Sequence, residues 1–368
     1  MKVLFAGGGT AGHINPAIAV ANYICGCEAV SKIKFVGTKE GLETGLVPKS
    51  GYPLELIKVH GFDRSLSPKN IKNLLELPGA VHAAKKIIKE FQPDIVVGTG
   101  GYVSGPVLYA AAKCKIPTLI HESNAFPGVT TKILAKYVDT VAVGLADAKQ
   151  YITQAKKIVV TGNPVRPSIL STRRENARRL LKLDERPFIL IFGGSLGARD
   201  FNKTVVDWIS AIAEKNRYNI LMGTGKFHQY DDVMARLKKN GINLQKSAGI
   251  TVSEYIYDMD VALAAADLVI SRAGASTLSE LTAIGRPAVL VPSPYVTGNH
   301  QEHNARAIES GGGAKVILEK DFTPETLSAA VDQIFGDHSK LAKMQEASHK
   351  MGIPDATERI YQEIKAIL

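Results

Sequence analysis

Three glycine-rich turns carry the residues best placed to do chemistry: Gly7-Gly8-Gly9-Thr10-Ala11-Gly12-His13, Gly98-Thr99-Gly100-Gly101-Tyr102-Val103-Ser104-Gly105, and Gly193-Gly194-Ser195-Leu196-Gly197-Ala198-Arg199. Glycine lets the backbone come close to a ligand, and the unpaired N–H groups that open a following helix favour negative charge. The implied chemistry is the handling of phosphate-bearing ligands, with two turns in the first half of the chain and one opening the second. His13 follows the first turn directly, and its imidazole is suited to proton transfer near neutrality.

The elements that must position these turns are read from the pattern around them. Apolar runs at 2–6, 33–36, 94–97, 118–121 and 158–161 read as strands, with a helix over 15–25. The alternation is that of parallel βαβ units. Gly162-Asn163-Pro164-Val165-Arg166-Pro167 then interrupts regular structure with two prolines and reads as an interdomain linker. Strands at 188–192, 219–222, 268–271 and 288–291 restart the pattern. The expected fold is α/β, two doubly wound Rossmann-like parallel-sheet domains facing a cleft, with domains at 1–163 and 164–351. Met351-Gly352-Ile353-Pro354 breaks the helical pattern, and a last helix within 352–368 is expected to pack back on the first domain.

A chain of 368 residues fits two domains, and 45% hydrophobic with 22% charged residues is the composition of a folded protein. Forty-five Lys and Arg against thirty-five Asp and Glu leave a formal charge of +10, which favours acidic partners. Nucleic acid is not the expected one, because the basic residues are scattered and no RNP-like, zinc-finger or helix-turn-helix pattern accompanies them. The opening run Val3-Leu4-Phe5-Ala6 is too short for a signal peptide, and no stretch approaches the roughly twenty apolar residues of a membrane span. A cytoplasmic protein, peripheral on the membrane, is expected. Cys25, Cys27 and Cys114 form no disulfide or zinc framework, and Cys25 and Cys27 read as small buried thiols.

Gly7, Gly9 and Gly12 also satisfy the dinucleotide fingerprint. That reading needs an acidic residue at the end of the second strand, where this chain has Val36-Gly37-Thr38-Lys39. A nicotinamide oxidoreductase is therefore disfavoured.

Six segments together are more specific. Gly8-Gly9-Thr10-Ala11-Gly12-His13, Gly100-Gly101-Tyr102-Val103-Ser104-Gly105-Pro106, His121-Glu122-Ser123-Asn124, Gly162-Asn163-Pro164-Val165-Arg166, residues 193–199, and residues 272–280 resemble, in order, the signatures of the MurG family of peptidoglycan N-acetylglucosaminyltransferases. The resemblance runs through to residues 353–359 and so covers essentially the whole chain. It implies a GT-B architecture and an inverting transfer of N-acetylglucosamine from its UDP donor to the C4 hydroxyl of undecaprenyl-pyrophosphoryl-N-acetylmuramoyl-pentapeptide. It further implies no catalytic metal and no cofactor, a site of action on the cytoplasmic face of the bacterial membrane, and proteins of the cell-wall machinery as further partners. Donor binding falls to the second domain and acceptor binding to the first.

An inverting transfer needs a base for the attacking hydroxyl and support for charge on the departing UDP. His13 is the first choice of base, against a bland role anchoring its helix; Glu122 and Asn124 stand second, Asn124 more as a contact to the donor sugar. Residues 193–199 should aim backbone N–H groups and the Ser195 hydroxyl at the diphosphate, with Arg166 and Arg272 adding charge; Arg272 has an interdomain salt bridge as its alternative. Glu280 is the natural acceptor for two ribose hydroxyls. The family pattern adds Thr10, Ala11 and Gly12 to the donor set, Ile256 at uracil, Ala275, Ser276, Thr277, Leu278 and Ser279 along the nucleotide, and Gln301 on the sugar. Gly8, Gly9, Gly100, Gly101, Tyr102 and Ser104 are expected to hold the acceptor pyrophosphate. Asp258-Met259-Asp260 has the form of a metal-binding pair, but just before a helical run it reads as a helix cap.

For an anionic membrane surface, Leu74, Leu75, Leu77, Val81, Ile87 and Ile88 among Lys69, Lys72, Lys85, Lys86 and Lys89 suit an interfacial patch, and suit an ordinary amphipathic surface helix equally. A glycolipid-forming glucosyltransferase or a UDP-sugar epimerase of the same architecture are the competing activities.

Overall fold

The structure, a computed structural model, describes residues 1–61, 68–225, 229–245, 247 and 249–368. It divides into two compact units: unit 1 from Met1–Pro164 with Ile353–Leu368, and unit 2 from Val165–Gly352.

Unit 1 holds a parallel sheet of β1 (Lys2–Gly7), β2 (Lys32–Gly37), β3 (Leu54–Leu56), β4 (Ile95–Gly100), β5 (Thr118–Glu122), β6 (Thr140–Val143) and β7 (Ile158–Val160), in spatial order 3-2-1-4-5-6-7. Helices α1 (Ala11–Cys27), α2 (Glu43–Lys49), α3 (Pro68–Phe91), α4 (Ser104–Lys113) and α5 (Val129–Leu134) connect them. Side chains alternate across the sheet, so Val3 and Phe5 pack with Ile14, Val20 and Ile24 of α1, while Leu4 and Ala6 pack with Ala84 and Ile88 of α3 and Val107 of α4. Because both faces are covered, the strands read as continuous apolar runs.

Strand order reverses between β1 and β4, and doubly wound sheets open their ligand crevice beyond the strand ends at such a point. Gly7 and Gly100 pair there, after a register shift between Ala6 and Gly7. The first two glycine turns are thus brought side by side by topology.

Unit 2 repeats the scheme with β8 (Phe188–Phe192), β9 (Asn219–Gly223), β10 (Ile250–Ser253), β11 (Leu268–Ser271), β12 (Ala288–Leu290) and β13 (Ala314–Val316), ordered 10-9-8-11-12-13. Its helices are α6 (Pro167–Ser171), α7 (Arg174–Leu180), α8 (Arg199–Ile212), α9 (Gln229–Lys239), α10 (Met259–Ala265), α11 (Ala275–Ala283), α12 (His300–Ser310), α13 (Pro324–Phe335) and α14 (His338–Met351). Ile189, Ile191 and Ile270 pack with Phe201 and Trp208 in its core. The reversal lies between β8 and β11, whose ends lead into the third glycine turn and into α11.

The last helix, α15 (Ala356–Ile367), belongs to unit 1. Its Ile360 and Ile364 are buried against the layer that holds Phe5 and Ile24, and the Tyr361 hydroxyl donates to Glu28 at 2.9 Å.

Several expectations are corrected. Helix α1 begins at Ala11 rather than at residue 15, which puts Gly12 and His13 inside its first turn. Cys25 and Cys27 are exposed at the outgoing end of α1, not buried. Asp258 occupies the position before α10, but its side chain makes no capping hydrogen bond. In α3, Ile88 is buried and Leu77, Val81 and Ile87 pack against the unit 1 core, so they are unavailable to a membrane; Leu75 is exposed. The side chains of Lys69, Lys72 and Leu74 lie outside the described residues.

Candidate functional site

In unit 2, an open cavity lies at the carboxyl ends of the strands. Gly194 and Ser195 come to it from the turn after β8, Gly223 and Gly225 from the end of β9, Tyr255, Ile256 and Tyr257 from the segment after β10, Thr277 and Glu280 from α11, and Arg166 from the segment before α6. Gly194 has φ +102°, and a Cβ there would meet nothing within 4 Å. Its glycine serves backbone conformation and leaves open space above the turn. Gly197 and Gly225 differ: a Cβ on either would overlap the other turn, so the two loops nest backbone to backbone.

Glu280 is two-thirds of the way along α11, with its side chain 14% exposed. Its Oε1 accepts from Arg166 Nε at 2.7 Å and its Oε2 from Arg166 Nη2 at 3.2 Å. This pairing holds the guanidinium above its ordinary pKa, with Asp260 and Tyr255 adding to the effect. A carboxylate has about four acceptor positions, so two remain for hydroxyl donors. Ile256 lies over Gly223, and the exposed rings of Tyr255 and Tyr257 meet edge to face at 5.0 Å. Sequence reading missed both tyrosines because β10, the short strand that delivers them, was not recognised; alternation of Tyr, Ile and Tyr beside a strand was the available signal.

Other expected donor residues are placed elsewhere. Arg272 is buried, pairs with Glu319 of the same unit, donates to the Val291 carbonyl at 3.1 Å and stacks over Phe201. Its charge is met inside unit 2 by Glu319 and the Val291 carbonyl, and Arg272 is not among the residues that line the cavity. Among residues 275–279 it is Thr277 that lines the cavity; Ser276 is exposed at the start of α11, Ala275 is its first residue, Leu278 is buried, and the Ser279 hydroxyl donates to the Ala275 carbonyl at 3.0 Å. Gln301 accepts the Ser293 N–H at 2.8 Å and braces the loop after β12.

In unit 1, His13 sits at the junction of the first two glycine turns. Its Nδ1 lies 3.1 Å from the Gly8 carbonyl and 3.4 Å from the Thr10 hydroxyl. A carbonyl only accepts, so the Nδ1 proton points to Gly8 and the lone pair is left on Nε2. A Cβ at Gly100 would come 2.6 Å from His13 Cδ2, and one at Gly101 would overlap the Gly8 carbonyl. These two glycines, at φ +107° and +78°, make room for the histidine and its partner. The backbone N–H of Gly100 is given to Ser104 Oγ at 3.2 Å, and the buried Ser104 hydroxyl lies 2.7 Å from the Ala6 carbonyl and 2.8 Å from that of Gly100. Ser104 therefore ties β1 to β4 and does not point to a ligand. Gly9 gives its N–H to Glu43 at 2.8 Å, a residue sequence reading did not single out. Tyr102 packs its ring on Gly9 and Gly61. Ala11 and Gly12, in the first turn of α1, present the N–H groups that a helix start leaves without intrahelical partners.

Glu122 is corrected as a second-line base. Its carboxylate accepts from the Asn124 N–H at 3.0 Å and Nδ2 at 3.1 Å, the Gly128 N–H at 3.0 Å and the Thr131 hydroxyl at 2.7 Å. It is buried and organises the loop after β5, taking Asn124 with it.

Two doubly wound parallel sheets, the second with a cavity built from a glycine turn, a helix N-terminus and a carboxylate with free acceptor positions, define the GT-B class of glycosyltransferase folds. The glycosyltransferase family 28 N-terminal domain matches residues 3–143 and the family 28 C-terminal domain matches residues 188–360. The chain belongs to glycosyltransferase family 28. It is 48% identical, over all of its length and 98% of the relative's, to the UDP-N-acetylglucosamine–N-acetylmuramyl-(pentapeptide) pyrophosphoryl-undecaprenol N-acetylglucosamine transferase of Acetivibrio thermocellus. The protein of the same name from Ruminiclostridium cellulolyticum is also 48% identical, with both chains covered completely. The crystal structure of MurG from Acinetobacter baumannii is similar at a TM-score of 0.80 and 28% identity, covering 99% of each chain.

Proposed function

We propose that this chain transfers N-acetylglucosamine from UDP-N-acetylglucosamine to the C4 hydroxyl of undecaprenyl-pyrophosphoryl-N-acetylmuramoyl-pentapeptide, completing the lipid-linked disaccharide. The observation that carries this is full-length identity of 48% to transferases of that name. The epimerase and glucolipid readings are disfavoured by the same finding.

In the proposed mechanism His13 Nε2 takes the proton of the acceptor hydroxyl as its oxygen attacks the anomeric carbon. The C1–O bond to UDP breaks on the opposite face and the configuration inverts. Charge on the leaving diphosphate is met by backbone N–H groups of the Gly194–Ser195 turn and of the α11 start, by the Ser195 hydroxyl and by Arg166, which does the work a metal ion would otherwise do. Glu280 binds the ribose hydroxyls, the backbone of Ile256 meets uracil, and Tyr255 and Tyr257 flank it. On the acceptor side, N–H groups of Ala11 and Gly12 and the surface beside Tyr102 meet the pyrophosphate. Peripheral contact with the cytoplasmic face of an anionic membrane is supported by exposed Leu75, Val129 and Ile133, with Lys85, Lys86, Lys89 and Lys136 exposed on the same two helices or directly after them.

Incubation with radiolabelled UDP-N-acetylglucosamine and a lipid-linked muramoyl acceptor should move label into the lipid. Release of free epimer, or no label in the muramoyl lipid, would refute the assignment.

A further inference from the structure

Glu43, the first residue of α2, is fully buried beneath the first glycine turn. A Cβ at Gly8, Gly37 or Gly41 would overlap its side chain, so three glycines clear the space for one carboxylate. Its Oε1 accepts from the Thr38 N–H and the Thr38 hydroxyl, both at 2.8 Å. Its Oε2 accepts the Gly9 N–H at 2.8 Å.

That N–H belongs to the same peptide group as the Gly8 carbonyl, which accepts from His13 Nδ1 at 3.1 Å. In a trans peptide the N–H and C=O point in opposite directions. Carboxylate, peptide and imidazole therefore form one chain, with the negative charge at the positive end of the peptide dipole and the imidazole N–H at its negative end. Such chains polarise one another, so the carboxylate strengthens the Gly8 carbonyl as an acceptor. The lock matters because the peptide joins two glycines, the second at φ +85°, where the backbone has few steric barriers to turning over. A turned peptide would aim the Gly8 carbonyl at the carboxylate and leave Nδ1 with the Thr10 hydroxyl.

We propose that Glu43 is a positioning residue for His13, acting through the Gly8–Gly9 peptide to hold the Nδ1–H tautomer and keep the Nε2 lone pair available. The proposal rests on the reading of His13 as the base. Glu43 never touches substrate; it is separated from the imidazole by one peptide group. Among the described residues, the other contacts recorded at His13 are to uncharged groups: the Thr10 hydroxyl, the Gly100 backbone, and Thr99, whose hydroxyl donates to the His13 carbonyl at 2.7 Å.

The test uses the full chain with 15N-labelled histidine, the His13 signals being assigned by their loss in His13→Gln. The wild type should show His13 as the Nδ1–H tautomer. Glu43→Gln, isosteric but uncharged and with one acceptor oxygen in place of two, should mix in the Nε2–H form. It should lower kcat roughly tenfold to a hundredfold with the donor KM within twofold. This is less than the roughly 10⁴-fold loss when a carboxylate in direct contact with a catalytic histidine is replaced. Thr38→Val removes a hydroxyl from the other carboxylate oxygen and should lower Tm while leaving tautomer and kcat nearly unchanged, which separates positioning from packing. An Nε2–H tautomer in the wild type, or an unchanged tautomer in Glu43→Gln, overturns the proposal, and the wild-type arm decides even if the variant does not fold. A shifted tautomer with unchanged kcat upholds the link between Glu43 and His13 and overturns the reading of His13 as base.

Discussion

Replacing Glu280 with alanine should weaken UDP binding by about 2–3 kcal/mol, a Kd increase of roughly 30- to 150-fold. The magnitude follows from what the carboxylate can still accept. Arg166 occupies one position on each oxygen, which leaves two for the ribose hydroxyls. Hydrogen bonds to a charged group contribute about 1.5–3 kcal/mol each, and at 14% exposure the Glu280 side chain is little screened by water. Water entering the truncated site offsets part of the gross loss. Release of Arg166 adds little, because its side chain is 54% exposed and such pairs contribute about 0–1 kcal/mol. Calorimetric titration at fixed salt with both UDP and uridine makes the test specific. Glu280→Ala should impair both ligands by a similar factor, since both carry the ribose diol, whereas Arg166→Ala should weaken UDP less than tenfold and leave uridine unchanged. A change under threefold for Glu280→Ala, or a loss seen with UDP and not with uridine, would refute the ribose assignment.

His13→Ala should reduce kcat by about 10²–10⁴-fold, the usual range for a general base, with UDP affinity within twofold; parallel loss of UDP affinity would instead make His13 part of the donor site. Gly100→Ala forces a side chain to φ +107° and into the His13 ring, so thermal unfolding should show a loss of about 1–3 kcal/mol together with a fall in kcat, and a neutral result would contradict the packing of the two turns. His121 is fully buried, its Nε2–H donates to the Gly162 carbonyl at 3.0 Å, and burial holds its pKa below the ordinary value. The unfolded chain then binds the proton first: stability is full above about pH 6.5 and is lost as pH falls from there through the lowered folded value. Chemical denaturation across pH 5–8 should show this slope in the wild type and a shallower one in His121→Gln; identical slopes would remove His121 as the cause.

Much of this was legible in the sequence because both sheets are covered on both faces, which makes central strands such as 188–192 and 268–271 continuous apolar runs that end in glycine. Leu54–Leu56 and Ala314–Val316 were not, since a charged middle residue, Glu55 or Lys315, breaks the apolar run that made the equally short Ile158–Val160 and Ala288–Leu290 readable. Glycine turns announced a site but not their own division of labour. Gly194 is open to a ligand, while Gly100 and Gly101 are spent on His13 and the Gly8 carbonyl, a distinction set by pairs that are distant in sequence. Arg272 by its charge and Gln301 by the family pattern were expected as ligand contacts, and their partners Glu319 and the Ser293 N–H were invisible without the fold. Glu43 was missed for the same reason: nothing near it in sequence reveals that Gly9 lies above it.

The return of α15 to unit 1 has a consequence for how the polypeptide emerges from the ribosome. The seat for Ile360 and Ile364 is made by residues such as Phe5 and Ile24, which are synthesised well before the helix that fills it. At roughly 5–20 residues per second, translation of the intervening segment 165–352 leaves that apolar groove uncovered for about ten to forty seconds. Unit 2, a single uninterrupted stretch, can mature during that interval. Of the two units, unit 1 thus begins before unit 2 and is completed after it, and its nascent form is where a chaperone has most to protect.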